Sequence, residues 1–135
     1  MATAFQLRIV TPNRLLLDEQ VREVTGPGTL GEFGVLPDHI TFLTSLEIGT
    51  LSYRTDRDTR RLAVRGGFAE VMDNVMTVLA DDAALPEDID STRVRGELHA
   101  AESQLKDLSP LDDAYTAADA NRRWAQARLD LAAAH

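Results

Sequence analysis

Over the first two-thirds of the chain, apolar positions recur every second residue. Phe5, Leu7 and Ile9 alternate with Gln6 and Arg8, which puts the apolar set on one face of a half-buried strand. "TPNR" follows as a turn. Similar short runs appear in "LLL", "VREVTG", "TFLTSL", "GTLSYR", "RLAVRGG", "FAEVMD" and "VMTVLAD", with turn-forming residues between them. Asp73-Asn74 predicts a two-residue hairpin, because both residues tolerate positive φ. Arg65-Gly66-Gly67 predicts a bulge or a second tight reversal. About eight short strands in roughly 85 residues imply a mainly β architecture, an antiparallel sandwich or flattened barrel.

The pattern changes near Pro86. Asp90 is a helix N-cap candidate, and Val94, Leu98, Ala101, Leu105 and Leu108 follow at helical spacing. Ser109-Pro110 interrupts the series, and Ala117, Ala120, Trp124, Ala127, Leu131 and Ala134 resume it. Two seams joined by a short break predict an antiparallel helical hairpin. The chain therefore reads as residues 1–86, a β unit, and residues 87–135, a two-helix unit. Composition agrees: all four phenylalanines precede Pro86, whereas the second part is rich in alanine. The alanine seam buries little apolar area, so at about 25 cal/mol per Å² the hairpin is marginal alone. It must lean on something, or be able to leave.

At 135 residues the chain is one domain, or a small domain with an appendage. Its 44% hydrophobic and 27% charged content is that of a globular protein. The net charge of −8 argues against nucleic-acid binding. There is no cysteine, and His39, His99 and His135 lack metal-ligand spacing, so no metal site is expected. No Ser/His/Asp order or phosphate-cradling loop suggests an active centre, and independent catalysis is not expected. The apolar runs are too short to span a membrane, and the N-terminus lacks signal- or transit-peptide features, which points to a cytoplasmic protein.

The stretch "GTLGEFGVLPDHITFL", Gly28 to Leu43, is the most unusual. On spacing alone it is a long turn in which Gly supplies positive φ and Pro37 ends a strand. Taken with "TPNR", "LEIGTL", "RGGFAEV", "NVMTVLADDA" and "DIDSTR", however, its "GEFGVLPDH" resembles the epsilon subunit of the bacterial rotary (F-type) ATP synthase. The motifs stand in that family's order over nearly the whole chain.

The resemblance implies an N-terminal flattened β-sandwich at the foot of the rotor. There it would lie against the gamma subunit and the polar loops of the c-ring, with a C-terminal regulatory hairpin. The matching loop would place Gly31, Glu32, Phe33, Gly34 and His39 at the docking surface, with Glu32 available to an arginine of a partner. The hairpin would lie on the sandwich or extend toward the alpha/beta catalytic head and restrain ATP hydrolysis. Arg122, Arg123 and Arg128 would form its inhibitory basic face.

Members of the family that bind ATP use a motif matched here by Ile89, Asp90 and Arg93, with Val94 in place of alanine; Arg128 matches a second-helix arginine. An arginine of the first helix falls near Ala100 and is missing; another falls near Trp124, with Arg123 one step off register. Any ATP binding is thus expected to be weak, with no other cofactor. Read without the resemblance, Asp90 is a cap, Arg93 pairs with it or with a neighbouring acid, and the arginines are a solvated face. The resemblance implies a non-catalytic rotor subunit in proton-driven ATP synthesis. It would be peripheral on the cytoplasmic face of the membrane and held there by protein partners. The alternative from seams alone is a free-standing β-sandwich adaptor that dimerises or binds partners through its hairpin.

Overall fold

A computed structural model describes residues 2–135. The strands are β1 (Phe5–Thr11), β2 (Arg14–Val21), β3 (Glu23–Gly28), β4 (Gly31–Val35), β5 (Phe42–Arg54), β6 (Thr59–Met72), β7 (Val75–Ala80) and β8 (Ala83–Ala84). A 3₁₀ turn at Pro86–Asp88 leads into helices α1 (Ser91–Lys106) and α2 (Asp113–Ala134). The strand order is β2-β1-β7-β6-β5-β3-β4, with β8 also on β6.

The long strands β5 and β6 pair from end to end and form the spine of both layers. The first half of β5 and the second half of β6 continue into β7, β1 and β2. The other halves continue into β3, β4 and β8. Folding the sheet over this ribbon makes a sandwich. Its inward faces close one core, with Phe5, Leu7 and Ile9 of β1 against Leu51, Leu62, Val64, Val71, Met76 and Val78. Alternation dictates that outcome, since each strand sends every second side chain inward.

Three local expectations change in the structure. "TFLTSL" and "GTLSYR" are one strand, as are "RLAVRGG" and "FAEVMD". Gly66 (φ 66°) and Gly67 (φ 106°) bend β6 without reversing it, and Leu46 opposite Gly67 keeps the register of Ile48 opposite Arg65. A Cβ on Gly67 would stand 2.0 Å from the Leu79 carbonyl oxygen, so this bend needs glycine. The sandwich is also not wholly antiparallel: β1 runs parallel to β7, which sets Leu7 beside Met76 and Ile9 beside Val78 on the core side. The Asp73-Asn74 turn is as expected, both residues having positive φ.

The helical part forms a hairpin lying on the sandwich. Asp90 caps α1, its carboxylate accepting from the Arg93 amide at 3.2 Å. On α1 the seam is that of the sequence: Val94 and Ala101 are buried and Leu98 and Leu105 half-buried, as is Leu108 just past the helix. On α2 it is displaced, because Ala118, Trp124, Ala125 and Leu131 are buried whereas Ala117 and Ala134 are exposed. This helix packs against α1 and also against β5 and β6, so its buried stripe is wider than one seam. Trp124 and Leu131 sit on Ala63, with Ile48, Ala84 and Ile89 around them. No described helix is long and apolar enough to cross a membrane.

Candidate functional site

The glycine-rich stretch is a β-hairpin arm followed by a true loop. Thr29-Leu30 turns β3 into β4, and Gly31 takes φ 120°. Glu32 and Phe33 then point to opposite sides of β4, as neighbours on a strand must. The Phe33 ring occupies the space that a Cβ on Gly26 would need, 2.7 Å away, so Gly26 is a packing glycine. Gly34 has no such constraint, its nearest obstacle being the Val24 carbonyl oxygen at 4.0 Å.

In the loop, Nδ1–H of His39 donates to the Ile40 carbonyl (2.8 Å), which fixes a proton on Nδ1 because a carbonyl only accepts. The His39 ring meets Phe42 edge-on at 5.7 Å, and Phe42 meets Phe33 at 5.6 Å. The structure therefore joins Phe33 and His39 through Phe42 and leaves Glu32 exposed, with no ion-pair partner among the described residues. Leu30 at the hairpin tip is 99% exposed and Ile40 80%.

One outer face of the sandwich is bare and carries an apolar row beside a polar one made of Asp18, Arg8, Thr77 and Glu70. Cross-strand pairing lines up Leu15, Val10, Leu79, Phe68 and Ser45 across β2, β1, β7, β6 and β5. Leu43 flanks this row at 69% exposure, with Phe68 at 56% and Leu79 at 54%. Isolated exposed apolar residues are ordinary; a contiguous row of large ones marks a contact surface.

The opposite outer face carries the hairpin, and a cleft of about 390 Å³ lies between them. It brings Asp90, Arg93 and Arg128 together, with Val94 and Trp124 in the wall. Arg14 and Arg65 reach it from the sandwich. Most of its charges are engaged: Arg14 pairs with Asp88 (3.6 Å), Arg65 donates to Asn121 (2.8 Å) and Arg128 pairs with Glu97 (3.0 Å). Arg128 also stacks over the Trp124 ring at 4.9 Å, a cation–π contact. Arg93 has no acidic partner within ion-pair distance among the described residues. Ala100 lines an adjoining hollow instead of the cleft.

Of the other basic-face candidates, Arg122 pairs with Asp119 on its own helix (2.7 Å). Arg123 reaches across to Glu47 of β5 (2.8 Å). A third concavity, about 430 Å³, opens near the end of α2 beside Tyr53. The buried Tyr53 hydroxyl donates to Glu19 (3.2 Å). Burial, reinforced by the Glu19 charge, pushes it up to about 12.

Sequence reading missed the bare row, Glu47, and the Arg14 and Arg65 walls of the cleft. The row had a signal. Phe68, Glu70 and Met72 share one parity of "FAEVM", opposite to core residues Ala69 and Val71. Glu47 and Arg65 had none, because their partners lie in the other half of the chain.

Residues 4–86 match the ATP synthase delta/epsilon chain beta-sandwich domain. The whole chain resembles full-length relatives as well. It is 46% identical over 130 residues to the ATP synthase epsilon chain of Nitratidesulfovibrio vulgaris, covering 96% of this chain and 97% of that one. It is 41% identical over 132 residues to the ATP synthase epsilon chain of Citrifermentans bemidjiense, covering 98% and 96%. A subunit in the mitochondrial ATP synthase structure of Euglena gracilis shares the fold, with a TM-score of 0.80 at 24% identity, over 100% of this chain and 84% of that one. The sandwich thus defines a chain of the ATP synthase delta/epsilon type. The chain belongs to the ATP synthase epsilon chain family.

Proposed function

We propose that the chain is the non-catalytic rotor subunit that couples gamma to the c-ring, and that its hairpin restrains ATP hydrolysis. The observation that carries this reading is the bare row Leu15–Val10–Leu79–Phe68. A row so apolar fits a permanent protein partner, and gamma is assigned to it. The loop with His39 and Ile40, and the β3–β4 tip with Leu30 and Glu32, are assigned to the polar loops of the c-ring. The subunit would sit on the cytoplasmic face of the membrane through these contacts alone. Nothing favours the dimerising adaptor, because the hairpin spends its apolar seam on α1–α2 packing and on the sheet.

The brake reading rests on how lightly the hairpin is held. Its contact with the sheet is a small apolar cluster, the Arg65–Asn121 hydrogen bond and the half-exposed Arg123–Glu47 pair. Arg123 and Arg128 are both engaged in this folded arrangement, with Glu47 and Glu97, so extension toward the alpha/beta head would exchange those carboxylates for acidic side chains of the head. The cleft is proposed as a weak ATP site, with Arg93 as its uncommitted cation and Arg128 competing with Glu97 for phosphate.

The test is a titration into the matching catalytic head lacking its own copy of this subunit, following ATP hydrolysis. The full chain is run beside a chain ending at Pro86. Binding by both with inhibition by the full chain alone supports coupling and brake together. Binding by both with inhibition by neither removes the brake, and binding by neither removes the assignment.

A further inference from the structure

The loop between β4 and β5 has no regular structure from Leu36 to Thr41, yet it carries His39 and the exposed Ile40. Such a segment presents a defined surface only if something outside it holds its backbone. We infer that Asn74 is the positioning residue for this loop: its side chain clamps the loop and the N-terminal segment to the β6–β7 turn.

Three segments far apart in sequence meet at this side chain. Asn74 Oδ1 accepts from the Asp38 amide at 2.8 Å, and Asn74 Nδ2 donates to the Ala4 carbonyl at 2.9 Å. The Asn74 main-chain carbonyl accepts from the Gln6 amide at 3.2 Å, just before the parallel β1–β7 ladder begins. Asp38 returns the contact, its Oδ2 accepting from the Ala2 amide at 2.9 Å. Asp38 sits at φ 61° in a turn closed by the His39 amide on the Leu36 carbonyl (3.2 Å), a conformation that costs a non-glycine residue energy and gains from a bond outside the turn. The clamp supplies it, one residue before His39.

The residue type follows from two separate demands. The second turn position at φ 63° suits Gly or Asn. Of these two, only asparagine has a side chain that offers an acceptor to one segment and a donor to another. Glycine would serve the turn and lose the clamp. Aspartate would keep the bond to the Asp38 amide and set a carboxylate oxygen against the Ala4 carbonyl.

The functional half of this inference rests on the proposed docking role of the loop, and the experiment separates the two. Hydrogen exchange at the Asp38 amide is measured in the free full-length protein, and affinity is measured for the gamma–c-ring subcomplex. Asn74→Gly preserves the turn; Asp73→Gly, at φ 51° in the same turn, is its control; Ile40→Ala probes the loop directly. Asn74→Gly removes both side-chain hydrogen bonds; loss of the one to the Asp38 amide should speed Asp38 exchange about ten-fold and weaken subcomplex binding about five-fold. Asp73→Gly should change neither.

Unchanged Asp38 exchange in Asn74→Gly overturns the clamp. Weakened binding in Ile40→Ala but not in Asn74→Gly, despite faster exchange, overturns the positioning role and leaves the docking reading intact. Unchanged binding in both overturns the docking reading and the positioning role with it.

Discussion

The two outer faces of the sandwich grow from the same β5–β6 ribbon and meet opposite fates. On one half, Ile48, Ala63 and Ala84 are small or half-buried residues under Trp124 and Leu131 of α2. On the other, Leu43, Phe68 and Leu79 are large and open. A face lined with small residues yields little energy per contact and so favours a removable cover; a face of large residues yields more and so favours a partner that stays. On the proposed reading the fold would thus separate a releasable element from a permanent one, the arrangement that a rotor subunit with a brake requires. The Gly66-Gly67 bend in β6 lies between the covered and the bare stretch of that strand.

The bare face offers the sharpest break in this comparison. Phe68→Glu, which puts a charge at the centre of the row, should weaken binding to gamma by about a hundred-fold. The melting temperature of the free protein should hold, because the side chain is already exposed. Equal loss of stability and binding would mean that the row serves folding, and the contrast between faces would fail.

On the covered face, Trp124→Ala removes the largest side chain of the cluster between hairpin and sheet. A cost of about 3 kcal/mol should follow, read as roughly hundred-fold faster hydrogen exchange in α2 with β1 and β7 amides unchanged. Global unfolding of the sandwich instead would show that the cover is not separable.

Between the two faces lies Tyr53, whose hydroxyl is raised to about 12 by burial and by Glu19. A group with a raised folded value holds its proton more tightly when folded. Its contribution is therefore complete below pH 10, the ordinary tyrosine value, and is lost as pH rises toward 12. Relative to Tyr53→Phe, the native chain should lose about 2 kcal/mol across that window, measured by urea unfolding. A parallel pH dependence in the two proteins would show that Tyr53 ionises freely.

The smallest effect belongs to Glu47→Gln. The Arg123–Glu47 pair is more than a third exposed on both sides, so its loss should cost less than about 1 kcal/mol. Trp124 is the sole tryptophan, and its emission should move to the red at slightly lower urea in this variant. In the catalytic head the same variant should inhibit slightly more, since Arg123 is released. Weaker inhibition would mean that the pair does not hold the brake off.

Much of this was legible along the chain. The alternation at Phe5, Leu7 and Ile9, the Asp73-Asn74 turn and the Asp90 cap depend on near neighbours, and all appear as read. The α1 seam was legible because α1 buries one stripe, chiefly against α2. The α2 seam was not, because that helix answers to α1 and to the sheet at once, which moves burial from Ala117 to Ala118 and adds Ala125. Of the docking candidates, Phe33 and His39 came together only through Phe42, while Glu32 took the other side of β4.

The sequence by itself determined where strand and helix lie, the inward faces of the strands and of α1, the break near Pro86 and, through its motifs, the family. Those properties follow from spacings of two to four residues, where the geometry of strand and helix leaves little choice. Tertiary structure alone decided which outer face is covered, which arginine meets which carboxylate, and why Asn74 governs a loop that begins some forty residues before it. Each of those is a contact between distant segments, and no local periodicity encodes the partner.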